Sequence, residues 1–318
     1  MRRAAAALLA ILTLFLPVLA DGEASARGPE DFVAEIMEGG YGFSEKNYAV
    51  GFMSLYDGET WFHNADEYFK VASVYKLPLN MYFYELENAG ELAPDAIVGG
   101  VSLEQAHLYS LEFSNNEISE RMLDYLGGYA QYKRDILKYI GGAAEDVTDE
   151  YYYDNAFTAE MVLNILSYLN AHSDEFEEQL EHMLAAQPDQ YLKSGELGAP
   201  IAQKYGYERY DGVLHVAVAG IVYAEEPFLL TILTRGSYAA VDAMGELCDA
   251  FAEWESGRAA ALRAEAEALE AERLAEEARE RERAELEGIV RDCVDAALSA
   301  SPLPAGLPWP RLNGALFE

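Results

Sequence analysis

Ser73 and Lys76 stand three residues apart at the start of an apolar, helix-forming run, residues 77–86. Positions three apart on a helix share a face, so both side chains can reach one site. A lysine amine held beside a second cation loses proton affinity and can accept the serine proton. The helix N-terminus and the backbone N–H of Ser73 can stabilise a developing oxyanion. The pair predicts acyl transfer through a covalent serine intermediate, although a lone S-x-x-K is also a common surface helix start.

Two further short segments carry polar groups suited to the same chemistry. Ser-Asn-Asn at 114–116 lies between two helical patterns, and Lys-Tyr-Gly at 204–206 lies on a predicted strand followed by an antiparallel strand pair. The order S-x-x-K, S-x-N and K-x-G, each in its expected element, resembles the penicillin-recognising serine hydrolases, and most closely the class A β-lactamases and their relatives. The resemblance covers residues 31–255.

The resemblance implies a role for each matching residue. Ser73 would be the acylated nucleophile, Lys76 its proton partner, and Ser114 the relay toward the leaving nitrogen. The implied substrate-binding residues are Asn116 for a side-chain amide, Lys204 for a carboxylate, Gly206 of the K-x-G segment, and Tyr207, whose N–H would complete the oxyanion hole with that of Ser73. The alternatives are a helix cap at Asn116 and a solvated strand charge at Lys204.

The sequence also departs from the family pattern. Asn115 replaces the usual Asp of S-D-N and is expected to act as a neutral hydrogen-bonding substitute. Tyr205 replaces the Thr or Ser of K-T-G, which removes a small hydroxyl from the carboxylate site. The stretch between Lys76 and Ser114 is shorter than in the family. Residues 141–158, where the family carries its Ω-loop glutamate, are too short for a match, so the deacylating carboxylate stays unassigned. Glu145 and Glu150 are candidates there, with surface solvation as the alternative for each.

The elements around these motifs predict one α+β domain, an α/β sandwich of the β-lactamase/transpeptidase type. A short helical pattern covers residues 31–39, and residues 73–173 read as mostly helical with glycine breaks. Predicted strands lie at 48–56, 60–64, 199–207, 213–223 and 228–234, and a helix at 238–255 follows. Strands at both ends predict an antiparallel sheet of about five strands that both ends of the domain complete.

The ends of the chain have other compositions. Arg2-Arg3, an apolar run to Ala20 and small residues at 18 and 20 predict a secretory signal peptide over 1–20, with a reserve cleavage site at 24–26. An uncleaved membrane anchor is the alternative. Residues 21–30 are a predicted linker and 31–255 the hydrolase domain.

The C-terminal region after residue 255 is rich in Ala, Glu, Arg and Leu. These residues predict an extra helix over 256–300, because they are strong helix formers. Its apolar positions do not sustain a heptad, so a solvated helix competes with a partner-contacting one over 258–298. Residues 301–318, with four prolines, read as an irregular tail.

Composition excludes several functions. The 318 residues carry 56 Asp and Glu against 22 Lys and Arg, a formal charge of −34, which argues against nucleic-acid binding. Neither the two cysteines nor the five histidines show metal-ligand spacing, so no metal or cofactor is predicted. Cys248 and Cys293 could be bridged or free.

Two hypotheses follow from the motifs and their departures. The first is an exported, extracytoplasmic serine hydrolase that acts on a β-lactam or a cell-wall acyl-D-amino acid, with uncertain deacylation. The second is a catalytically weak or inactive relative that binds wall peptide or a protein partner.

Overall fold

The computed structural model describes residues 27–142 and 147–300. The α-helices are α1 (Pro29–Ala34), α2 (Lys76–Asn88), α3 (Leu103–Leu111), α4 (Asn116–Tyr125), α5 (Tyr129–Asp135), α6 (Asp149–Tyr153), α7 (Ala159–Ala171), α8 (Glu177–Ala185) and α9 (Ala240–Ala300). The strands are β1 (Tyr48–Ser54), β2 (Thr60–His63), β3 (Phe69–Lys70), β4 (Ile97–Val98), β5 (Val101–Ser102), β6 (Ala156–Phe157), β7 (Ile201–Tyr210), β8 (Val213–Val222) and β9 (Phe228–Arg235). A π-helical turn, Glu35–Gly40, continues α1.

The main sheet has five antiparallel strands in the order β2-β1-β9-β8-β7. Its first two strands come from the N-terminal part of the domain and its last three from the C-terminal part. β1 pairs with β9, with Gly51 opposite Thr231. The predicted α+β class and the predicted five-stranded sheet are therefore confirmed.

The strands form where apolar runs are separated by tight turns. Asp57 and Gly58 join β1 to β2, and Gly58 has φ +81°, a conformation that favours glycine. β8 and β9 are buried almost from end to end. A strand loses its polar face when both sides of the sheet are covered, so their continuous Val, Ile and Leu content marks the centre of a sandwich.

Helices cover the sheet through two separate hydrophobic clusters. The larger cluster joins α2, α3 and α7 to one face, with Leu77, Phe83 and Leu166 fully buried. The smaller cluster packs α1 and the start of α9 on the other face. The strand β7 forms one edge of the sheet, next to the turn that precedes α2, so the sheet and the larger helical layer meet at that edge.

The last helix differs from its prediction. The two helices predicted at 238–255 and 256–300 are one helix, because α9 runs without interruption from Ala240 to Ala300. Gly257 is the only weak helix former at the predicted boundary, and one glycine costs only about 1 kcal/mol in a helix. The first compact unit of the chain ends at Arg258 and the second begins at Ala259.

The predicted signal peptide and the tail at 301–318 lie outside the described residues. In the described part of the chain, no helix has the length and apolar character needed to cross a bilayer. Cys248 is buried, Cys293 is exposed, and both are free thiols.

A buried carboxylate ties α9 to the first hairpin. Glu255 is fully buried and accepts a hydrogen bond of 2.5 Å from Ser54 Oγ. Arg258 lies 2.8 Å from the Glu255 carboxylate and forms two further bonds, of 2.7 and 2.8 Å, with Asp57 in the β1–β2 turn. The bonds from Arg258 hold the pKa of Asp57 well below its ordinary value.

Removing Arg258 should therefore destabilise the domain. We expect Arg258→Ala to lower the free energy of unfolding by about 3 kcal/mol, because it leaves the Glu255 carboxylate buried without a cation. Arg27→Ala is the control, since Arg27 and Glu35 form an exposed ion pair that should contribute less than about 1 kcal/mol. Urea unfolding followed by circular dichroism measures both. Equal losses in the two variants would contradict this account of Glu255.

Candidate active site

Ser73 lies in a strained turn between the sheet and α2. A 3-10 turn, Ala72–Tyr75, precedes α2, and Ala72 has φ +47°, in the left-handed region. The turn is held by Asn155, whose backbone C=O accepts from Val71 N–H (3.1 Å) and whose Nδ2 donates to Ala72 O (2.9 Å). Ser73 itself is half-buried. Hydrogen bonds with Asn155 therefore fix the backbone just before the predicted nucleophile.

Lys76 is fully buried, and its amine points at the second motif. Its Nζ lies 2.7 Å from Ser114 O, 2.7 Å from Asn116 Oδ1 and 3.3 Å from Ser114 Oγ. The two short bonds go to oxygens that only accept. A neutral amine has two N–H groups to satisfy them and keeps one lone pair free for a hydroxyl proton. The described contacts include no hydrogen bond between Lys76 Nζ and Ser73 Oγ.

Lys204 reaches the same serine from the sheet. Its Nζ lies 3.0 Å from Ser114 Oγ, and the residue is fully buried on β7. The alternative of a solvated strand charge at Lys204 is wrong. Ser114 has φ +51°, another left-handed conformation, and its Oγ is shared by the two lysines. The structure therefore joins the S-x-x-K, S-x-N and K-x-G segments at one oxygen atom.

Burial changes the proton affinity of both amines. It lowers the pKa of Lys76 from 10.5 to about 8, against the opposing effect of the Glu120 carboxylate. It lowers the pKa of Lys204 well below its ordinary value, and the nearby Lys76 lowers it further. Each amine is therefore easier to deprotonate than a surface lysine, as a general base requires.

Gly206 brings the strand against the nucleophile. A Cβ on Gly206 would lie 2.5 Å from Ser73 N and 2.8 Å from Ser73 Cβ, so only glycine allows the backbone of β7 to pass this close. Tyr207 follows on the strand, and its side chain is exposed and packs edge-on against Tyr238. The backbone of Gly206 therefore lies directly beside Ser73, and Tyr207, the predicted second residue of the oxyanion hole, is the next residue on β7.

The two asparagines have different roles. Asn115 caps α4, because its Oδ1 accepts the N–H of Ile118 at 3.0 Å. Asn116 is therefore not the cap, and its Oδ1 is bound to Lys76. The amide at 115 fulfils its expected role as a neutral hydrogen-bonding group.

Tyr205 does not replace the small hydroxyl that its position lacks. Its side chain is buried, its ring packs on Tyr191 at 4.5 Å, and its hydroxyl donates to Glu112 O at 3.4 Å. Lys204 Nζ lies 4.6 Å from the centre of the Tyr205 ring. One neighbour of the carboxylate-binding lysine is thus an aromatic face.

The side chains of the two Ω-loop candidates, Glu145 and Glu150, lie outside the described part of the structure. Glu145 lies outside the described residues, and Glu150 falls in α6 but its side chain is not described. Just after α6, Asn155 contacts the nucleophile turn and accepts a hydrogen bond of 3.1 Å from Tyr129 OH.

A buried polar network behind the site was not predicted. Asn80 Nδ2 donates to Lys76 O (2.6 Å) and to Ser110 Oγ (2.9 Å), and Ser119 Oγ bonds Ser110 Oγ and Asn115 O. The network fixes α2 relative to the S-x-N turn. Asn80 stands four residues after Lys76, so its helix face was readable from the sequence, but its partners were not.

Two carboxylates near the site were also missed. Glu120 lies four residues after Asn116 on α4, and its charge acts on Lys76 and Tyr75. Glu208 lies on β7 two residues after Gly206, and burial raises the pKa of its carboxyl group. Among the described residues, no group of three or more metal-binding side chains is present.

Part of the chain matches a known protein family. Residues 30–105, which include Ser73 and Lys76, match the family described as "Beta-lactamase enzyme family". A comparison with curated protein sequences found no relative of significant similarity.

Solved structures of β-lactamases share the fold. A β-lactamase from Chitinophaga pinensis is 18% identical, with 73% of this chain and 100% of that chain covered and a TM-score of 0.59. TLA-1 extended spectrum β-lactamase is 13% identical, with 72% and 99% covered and a TM-score of 0.59. The last common ancestor of Gram-negative bacteria class A β-lactamase is 15% identical, with 70% and 97% covered and a TM-score of 0.59.

Residues 30–105 thus match the β-lactamase family model, and the fold is that of the class A β-lactamases. The resemblance predicted from the three motifs is confirmed. The roles of the individual site residues remain predictions, which the geometry above makes testable.

The buried amine of Lys76 should give the stability of the protein a distinct pH dependence. Between about pH 8 and 10.5 the unfolded chain keeps a proton that folded Lys76 has lost, so the free energy of unfolding should rise with pH in this window. Lys76→Met should remove the part of that rise that Lys76 contributes. The part that comes from the lowered pKa of Lys204 should remain.

Urea unfolding at several pH values, compared as the difference between wild type and variant, measures the effect. Lys46→Met, at an exposed lysine, is the control. A difference between wild type and Lys76→Met that does not change with pH would contradict a lowered pKa at Lys76.

Proposed function

We propose that the protein is an exported serine hydrolase that is acylated at Ser73 by a β-lactam or by a cell-wall acyl-D-amino acid. The observation that carries the proposal is the convergence of Lys76 and Lys204 on Ser114 Oγ, at 3.3 and 3.0 Å, beside the turn that holds Ser73. Two lysines that served only as surface charges would not both be fully buried beside one serine. The similar solved structures include β-lactamases, which supports a β-lactam as the substrate class.

The acylation step can be assigned to these residues. Neutral Lys76 accepts the Ser73 proton, and Ser73 Oγ attacks the amide carbonyl. The N–H groups of Ser73 and Tyr207 hold the oxyanion, since donors fixed before reaction stabilise charge most effectively. As the C–N bond breaks, Ser114 gives its proton to the leaving nitrogen and takes one from protonated Lys76, whose Nζ lies 3.3 Å from Ser114 Oγ. Asn116, bound to Lys76 on one side, is placed to hold the amide of the substrate side chain.

Anion recognition falls to Lys204. A buried amine with a lowered pKa recovers its charge when a carboxylate binds beside it, because the pair offsets the cost of burial. The carboxylate would meet the Lys204 ammonium without the small hydroxyl of the family, since Tyr205 is turned to Glu112. A substrate with a weaker need for that second contact, such as a wall peptide, fits the same site.

Export is the second part of the proposal. It rests on the basic start, apolar run and small residues of the first 20 positions. An exported enzyme would meet β-lactams and wall peptides in the extracytoplasmic space, and an uncleaved signal would tether it to the membrane. The helix over 258–298 is available for contact with a partner.

Intact-mass and turnover measurements test acylation. The purified protein is incubated with a chromogenic cephalosporin, a penicillin and an acyl-D-Ala-D-Ala peptide, then quenched with acid and weighed. We expect a covalent adduct or Ser73-dependent turnover with at least one substrate. Ser73→Ala, the matched control, should give neither. Absence of both in the wild type would overturn the enzymatic proposal and favour an inactive, peptide-binding relative.

The pH dependence of acylation tests the role of Lys76. We expect the acylation rate to rise as Lys76 loses its proton, with a midpoint near pH 8. Glu120→Gln should move this midpoint to lower pH, because the Glu120 carboxylate raises the pKa of Lys76. Pre-steady-state bursts of the chromogenic substrate across pH measure the rate.

Glu117→Gln is the control for this prediction. It removes an exposed carboxylate of the same helix, one that is paired with Arg121 instead. A midpoint that moves equally in both variants, or in neither, would contradict the assigned link between Glu120 and Lys76.

A further inference from the structure

The side-chain amide of Asn80 can take only one orientation. Its Nδ2 donates to Lys76 O at 2.6 Å and to Ser110 Oγ at 2.9 Å. A carbonyl oxygen only accepts, so turning the amide round would press Asn80 Oδ1 against Lys76 O. Asn80 Oδ1 therefore faces the ring of His107, whose Nδ1 lies 2.8 Å away. Asn80 and His107 are both buried, so this contact is shielded from water.

The ring of His107 is also held on its other side. Its Nε2 lies 3.1 Å from Glu87 Oε2, and the ring stacks on Tyr84 with centroids 3.7 Å apart. Burial lowers the pKa of His107; the hydrogen bond and charge of Glu87 and the charge of Glu178 oppose this, and His182 adds to it. At about pH 8, where Lys76 loses its proton, the ring is therefore neutral and has one N–H for two acceptors.

The structure favours Nδ1 as the nitrogen that carries this proton. With the proton on Nε2, the lone pairs of His107 Nδ1 and Asn80 Oδ1 would face each other at 2.8 Å between two buried groups. With the proton on Nδ1, the unfavourable contact falls on Glu87, whose side chain is 13% exposed and can turn toward water. Unpaired buried acceptors are costly, so the Nδ1–H tautomer is the more stable one.

We propose that His107, as its Nδ1–H tautomer, is a positioning residue for the general base of acylation. The ring N–H fixes the amide of Asn80, and Asn80 fixes the main chain of Lys76 and the hydroxyl of Ser110. The helix that carries Lys76 is thereby held against α3, which leads into the S-x-N turn. The proposal rests on the proposed acylation of Ser73, in which Lys76 accepts the serine proton.

Two substitutions distinguish the two ring nitrogens. The amide nitrogen of Asn lies near the place of Nδ1, whereas that of Gln lies near the place of Nε2. We expect His107→Asn to keep the acylation rate within about threefold of wild type and His107→Gln to lower it by about tenfold or more, because a small displacement of a reacting group costs up to about 10²-fold in rate. Pre-steady-state bursts measure the rate. Asn fills the space of the ring less well, so a loss of packing alone predicts the opposite order.

His172→Gln is the matched control for these variants. His172 also stacks on a tyrosine, Tyr168, and its Nδ1 also binds a carbonyl oxygen, that of Tyr168 at 2.9 Å. It lies at the end of α7 and has no hydrogen bond to Asn80 or Lys76 among the described contacts. We expect His172→Gln to be acylated at the wild-type rate.

Long-range ¹H–¹⁵N spectra of the histidine rings at pH 8 identify the tautomer without any substrate. We expect the ring signal that disappears in His107→Gln to be that of an Nδ1–H imidazole. Glu87→Gln should keep this tautomer, because a glutamine amide can donate to the Nε2 lone pair.

The placement of Lys76 can also be measured without substrate. If Lys76 loses its fixed position, water reaches its amine and its pKa returns toward 10.5. The rise in the free energy of unfolding between about pH 8 and 10.5 should therefore shrink in His107→Gln and persist in His107→Asn.

Each outcome decides the proposal. An Nδ1–H ring, together with slower acylation in His107→Gln than in His107→Asn, supports it. An Nε2–H ring, the reverse order of the two variants, or equal losses in both overturns it. If the wild type is not acylated, the proposed function fails, and the unfolding measurement then decides the placement of Lys76: an equal rise in both variants overturns the role of His107.

Discussion

The site depends on two lysine amines buried against one serine oxygen. Lys76 and Lys204 both lie within 3.3 Å of Ser114 Oγ, and both are fully buried. Burial lowers the pKa of both amines, and the charge of Lys76 lowers that of Lys204 further, so the folded chain favours losing a proton there. The rest of the fold keeps the two amines from moving apart.

That task is divided between the sheet and the helices. β7 carries Lys204. Its backbone passes so close to Ser73 that only glycine can occupy position 206. On the helical side, Asn80 and its serine partners lock α2 to the S-x-N turn. Neither layer alone places the three motifs, which lie at residues 73–76, 114–116 and 204–206 of the chain. The catalytic geometry is therefore a property of the contact between layers.

The sequence allowed the elements and the motifs to be predicted, because both are local. Strands such as β8 and β9 stand out as apolar runs bounded by turns, and the S-x-x-K spacing is visible in four residues. The effect of Glu120 on Lys76 was not visible from the sequence, because it depends on which way the helix that carries Glu120 faces. The helix α9 was predicted as two helices because the composition changes after residue 255, but a change of composition between two helix-forming stretches does not end a helix. Features that neighbouring residues determine could be predicted, whereas contacts between elements that are distant in sequence could not.

The backbone of Ala72 stores free energy at the site. An L-residue with φ +47° lies in a conformation that costs about 1 kcal/mol or more, and alanine has no side-chain group to offset it. Asn155 Nδ2 donates a hydrogen bond of 2.9 Å to the Ala72 C=O, so a contact from a residue distant in sequence helps to offset the cost. Proteins tend to trade stability for preorganisation at such positions. A glycine at 72 would adopt this backbone conformation without strain. Selection for higher stability would therefore favour glycine at this position, whereas selection for higher activity would favour the strained residue.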